Sequence, residues 1–158
     1  MDRDQRLRDH LAKLLEWEDG HVSFEASVEG LDPRLRGAMP DGLPHSPWQM
    51  LEHLRRTQHD ILEFCRGARY VQPKWPDDYW PRTAAPASDA EWEASVAGFL
   101  RDREALRDLA RDPAIDLFGL VPNGDGQTYL RELLLVADHN SYHVGQMILI
   151  RRALGTWD

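Results

Sequence analysis

His139 and His143 stand four residues apart in the apolar stretch ADHNSYHVGQ, residues 137–146. On a helix that spacing puts both imidazoles on one face, about a turn apart. Neutral imidazole is a preferred ligand of zinc, nickel, copper and iron, so the pair can bite one transition-metal ion. The competing reading is a pair of core histidines hydrogen-bonded to neighbouring helices, since burying them uncompensated costs polar desolvation. A third ligand is on offer at His53, at the edge of an earlier helix's apolar stripe, provided the two helices are neighbours. Three imidazoles leave positions open to water or substrate, as catalytic rather than structural sites do. The pair is not a zincin motif: Asn140 stands where a general-base Glu would follow the first His.

Several side chains could serve such a centre. Gln146, three residues after His143, is placed to orient it by a hydrogen bond. Glu132 shares the helical stripe of His139 and either orients a ligand or water, or serves the helix start, where acids are favoured. Glu18 and His21 form a Glu-x-x-His pair, with Glu25 on the same stripe; di-iron bundles use such a pair twice. The last helix holds no second copy, which argues against a dinuclear centre. His21 then reads either as the catalytic side chain, a proton shuttle or substrate contact by the open face, or as an ordinary hydrogen-bonded histidine. Trp48, Trp75 and Trp80 line a substrate pocket or simply fill core. His10, His45 and His59 have no partner pattern and read as surface or capping residues. Cys65, the single cysteine, lies in an apolar segment and reads as a buried, inert thiol.

Four helices separated by Pro- and Gly-rich connections must position these groups. The first is expected from about Asp4 to Glu29, with Leu7, Leu11, Leu14, Leu15, Val22 and Val28 inward. The second opens at Ser46 with Pro47 and the capping-box residue Gln49, and Gly67 ends it. A long connection follows from Ala68 to Ala87, whose Trp75, Tyr79 and Trp80 suit a lid or wall that packs down. Ser88 and Glu91 form another capping box for a third helix reaching about Arg111. The fourth runs from about Gln127 to Leu154, is apolar on nearly every side, and should be the most buried. With no internal repeat and no credible strand pair, the expectation is an all-α four-helix bundle with long connecting loops, one domain over residues 1–158.

Composition narrows the partners. A net charge of −8 and only two lysines, Lys13 and Lys74, exclude the basic stripe that nucleic-acid binding needs. No uncharged apolar run reaches membrane-spanning length, and the N-terminal MDRDQR lacks a signal peptide's apolar core, so the expected compartment is the cytoplasm.

The segments HSPWQMLEHL (45–54), WPDDYWP (75–81) and ADHNSYHVGQ (137–146) resemble the DinB/YfiT-like superfamily over nearly the whole chain. The resemblance implies a four-helix bundle, often a homodimer, in which His53, His139 and His143 bind a divalent ion, zinc or nickel first, with iron or manganese as alternatives. Activities in that superfamily include S-transfer from low-molecular-weight thiols, maleylpyruvate isomerisation and metal-dependent hydrolysis. The expected partner is therefore a small-molecule substrate, with or without such a thiol. The rival expectation is a non-catalytic, dimeric metal-binding bundle with a vestigial site.

Overall fold

The computed structural model describes residues 2–16 and 19–158. Their helices are α1 (Arg3–Leu14), α2 (Phe24–Val28), α3 (Pro47–Arg66), α4 (Asp89–Arg111) and α5 (Tyr129–Ala153). The class is all-α as expected: among the described residues the β structure amounts to an isolated bridge between Leu120 and Thr128. No helix there is long and apolar enough to cross a membrane.

The first expected helix is interrupted. α1 ends at Leu14, residues 19–23 form bends and extended backbone, and α2 begins only after the cap Ser23, whose Oγ accepts from Ala26 N–H. A helix through this region would need Gly20, a poor helix former, and would forfeit the Ser23 cap. His21 thus lies in a connection and not on a helical stripe, while its expected companion Glu18 falls outside the described residues.

α3 begins as read. Ser46 Oγ accepts from Gln49 N–H and Gln49 Oε1 accepts from Ser46 N–H, with Pro47 at the first helical position. At α4 only half of the capping box forms. Ser88 Oγ accepts from Glu91 N–H, but the Glu91 carboxylate accepts from Ala87 N–H instead of the cap's own amide. α5 starts after Thr128, whose Oγ1 accepts from Arg131 N–H.

α3 packs against both α4 and α5, which makes it the central helix and α3–α5 a true interface. The core has two parts along this axis. One gathers Leu11, Leu62, Leu106 and Val136; the other gathers Leu51, Leu54, Phe99 and Met147. Burying such side chains is the main drive for assembly, at roughly 25 cal/mol per Å² of apolar surface. Between the two parts a buried amide pair bridges three helices: Asn140 Nδ2 donates to Gln58 Oε1 (2.9 Å), and Gln58 Nε2 donates to Phe99 O (2.7 Å).

α5 corrects the sequence reading in one respect. Leu134, Leu135, Tyr142 and Leu149 are exposed along one flank, so the helix is covered by its neighbours on part of its circumference only.

Candidate metal centre

His53 projects from α3 into the seam with α5, and His139 and His143 project from successive turns of α5 toward it. His53 Nε2 lies 3.2 Å from His143 Nε2 and 3.2 Å from His139 Nε2. One ligand atom from each residue falls within 4.8 Å of the others. The helix adjacency that the sequence left conditional is therefore present.

Hydrogen bonding on the far side of two rings settles their tautomers. His53 Nδ1–H donates to Tyr79 O (3.1 Å), and His143 Nδ1–H donates to Gln146 Oε1 (2.8 Å). Each Nε2 then carries a lone pair. Two lone pairs facing each other at 3.2 Å make no hydrogen bond; they repel unless a cation lies between them. Ligands about 2.0–2.1 Å from one ion, subtending about 90–110°, stand about 2.9–3.4 Å apart. The two measured separations of 3.2 Å fall inside that span, so the donor set fits a divalent ion.

Electrostatics agree. Burial pushes the His53 imidazole down to about 3 and His139 to about 4, with the neighbouring imidazoles adding to the effect. Burial lowers His143 as well. All three are neutral at ordinary pH, the form a metal requires of its imidazole ligands. Among the described residues no cysteine, carboxylate or further histidine joins the cluster.

The loop after α3 builds the wall over His53. Trp80 stacks face to face on its ring (centroids 3.9 Å apart, planes 3° from parallel) and on His45 from the other side (4.0 Å). The loop is clamped from α3: Arg56 Nη1 donates to the carbonyls of Asp78 and Trp80, while its Nε donates to Glu52. Burial alone would raise the Glu52 carboxyl, but Arg55, Ser95 and Arg56 outweigh it and hold it at about 2. Tyr79 fixes the loop from below, its hydroxyl donating to Asp60 (2.7 Å). Beside His143 and Trp80 opens a cavity of about 280 Å³.

A match to the model of the DinB superfamily spans residues 16–147, well over half of the chain. The chain belongs to the DinB superfamily. No curated protein and no solved structure matches it. In this DinB chain the three histidines close together could hold a divalent metal.

The remaining residues singled out from sequence divide. Gln146 touches His143 and lines the cavity. Trp80 does the same, but Trp48 is buried in the core, its Nε1–H donating to Thr83 Oγ1 (3.3 Å). Trp75 does not pack down as a wall; it is 67% exposed and its ring touches Tyr79. Glu132 is buried in the first turn of α5 and paired with Arg131 (2.5 Å), and no hydrogen bond links it to the triad. His21 is exposed and bonded to Ser141 Oγ (3.1 Å) and Val22 O (2.8 Å), on a different side of α5 from the triad. Cys65 is buried, and burial pushes its thiol up to about 12.

Two of the histidines read as surface or capping residues, His59 exposed and His45 part-buried, have partners that no sequence pattern showed. His59 Nδ1 pairs with Asp102 Oδ2 (2.8 Å), and His45 stacks on Trp80 and edges the cavity. The signal for His45 was its place directly before the α3 cap, which carries it to the same helix end as the folded-back loop.

Proposed function

We propose that this protein is a mononuclear metal-dependent enzyme acting on a small electrophile, with water or a low-molecular-weight thiol as nucleophile. The ion would be zinc or nickel, held by His53, His139 and His143. Such an ion lowers the pKa of a water or thiol bound to it toward neutrality, supplying hydroxide or thiolate. One observation carries the reading: lone pairs of two imidazoles face each other at 3.2 Å with a third at the same distance, beside an open cavity.

The chain's own groups supply orientation and exclusion. Tyr79 O and Gln146 Oε1 hold two rings in the tautomer that points Nε2 inward. Trp80 shields His53 from bulk water on one face. The inert Cys65 offers no internal nucleophile, which leaves that part to the incoming water or thiol.

That no fourth His, Cys, Asp or Glu joins the cluster among the described residues favours this over a closed structural site. The test is metal content by mass spectrometry after purification without chelators. The wild-type chain should hold one ion, and His143→Ala should lose it. Full occupancy in that variant would overturn the assignment. A screen of thiols and water against small electrophiles then reads the reaction.

A further inference from the structure

The cavity at His143 differs in chemistry from three larger clefts of the molecule. One of about 430 Å³ is lined by Arg55, Arg56, Asp60 and Glu63 among others, one of about 540 Å³ by Asp60, Asp125, Arg131 and Glu132 among others, and one of about 480 Å³ by Glu25, Glu29, Arg36 and Glu93 among others. Among the described residues the 280 Å³ cavity has no charged side chain in its lining, although 29% of the chain is charged. Leu43, Met50, Trp80, Leu149 and Ile150 supply much of its wall, and its polar members are His45, Tyr142, His143 and Gln146. Gln146 Oε1 is already committed to His143 Nδ1–H. Few polar groups remain for a guest.

We propose that this cavity seats an uncharged, apolar portion of the substrate, about the size of a fused two-ring aromatic, with the reacting end toward His143. The inference rests on the reading of the triad as a metal centre and names the class of electrophile that centre would meet. Size follows from volume. An engineered cavity of about 150 Å³ with aliphatic and aromatic walls takes up benzene, and this one has roughly twice the space. Chemistry follows from the walls. A carboxylate or sugar placed there would shed its hydration and find few partners, at a cost of several kcal/mol for a charge. The cavity therefore takes the acceptor and excludes a polar thiol cosubstrate, which must approach from elsewhere. A mostly apolar lining with a few convergent polar groups is the usual make-up of a small-molecule site.

The test titrates the full chain, zinc-loaded and separately chelator-stripped, with 2-naphthol and with naphthalene-2-sulfonate, read by calorimetry. The inference expects submillimolar binding of 2-naphthol, with the sulfonate weaker by about tenfold or more. Leu149→Glu puts a carboxylate at the mouth and should weaken 2-naphthol by about tenfold or more. Because Leu149 is 52% exposed, that variant should keep the wild-type circular dichroism. Equal affinity for the two probes, no binding of either, or an unchanged affinity in Leu149→Glu overturns the inference. The last result, joined to a change in oligomeric state, would assign Leu149 to a surface between two copies. Zinc stoichiometry is read in the same samples. Zinc bound without 2-naphthol removes this inference alone, while 2-naphthol bound without zinc removes the metal reading and leaves the cavity.

Discussion

The three imidazoles are anchored unequally. His53 and His143 each donate Nδ1–H to an acceptor, whereas His139 Nδ1 is buried with no hydrogen-bond partner. Gln146→Leu removes the hydrogen-bond acceptor of His143 Nδ1–H and should weaken zinc by about 10–100-fold in competition with a chelator. An unchanged affinity would show that Gln146 does not orient the ring. The same imidazoles set a pH dependence. His53 and His139 fold with values near 3 and 4 against an ordinary 6.5, so the unfolded chain binds more protons between those limits. Stability then rises with pH across the window: it is whole above about 6.5 and is lost progressively as the pH falls toward 4 and 3. Glu52, held at about 2 against 4.5, adds a second loss at the acid end. Melting of metal-free protein should therefore drop steadily between about pH 7 and about pH 5, and a flat profile would contradict the burial of neutral imidazoles. The triad was legible because the i, i+4 spacing fixes a face and His53 lay on a stripe edge. His45 was not, since its partner Trp80 is far away in sequence and only the loop's path joins them.

The elements show where periodicity suffices and where it misleads. α3 was read correctly to its cap because Ser46, Pro47 and Gln49 form local hydrogen bonds that need no tertiary context. The break between α1 and α2 was missed because Val22 and Val28 continue the apolar count across Gly20. Five-residue α2 is held from outside its own sequence. Arg151 of α5 is buried and its Nη1 donates to the carbonyls of Ala26, Ser27 and Glu29, supplying a C-terminal cap from a long way along the chain. Near its own helix end its Nη2 also donates to Thr156 O. Arg151→Leu should cost about 2–4 kcal/mol in urea unfolding, since it strands buried carbonyls. Zinc stoichiometry should stay at one, because the triad is held from other elements. Loss of the metal together with stability would place α2 in the support of the site.

At the scale of the molecule, the site joins α3 to α5 at the boundary of the two core clusters, so an ion there ties together the central helix and its neighbour. The fold class was open to the sequence because four apolar stripes allow few alternatives. The exposed flank of α5 was not, because a helix apolar all round gives no sign of which side stays uncovered. An ion that binds only the folded chain stabilises it by mass action, about 2.7 kcal/mol at a hundred times its dissociation constant. For a chain of this size that raises the melting temperature by about 5–10 °C, and chelation should reverse the shift. The most direct test is an anomalous difference map at the zinc edge from crystals of the zinc-loaded protein. It should show one peak about 2.0–2.1 Å from Nε2 of each of His53, His139 and His143. A zinc peak held elsewhere, or none between these three nitrogens, would contradict the metal centre.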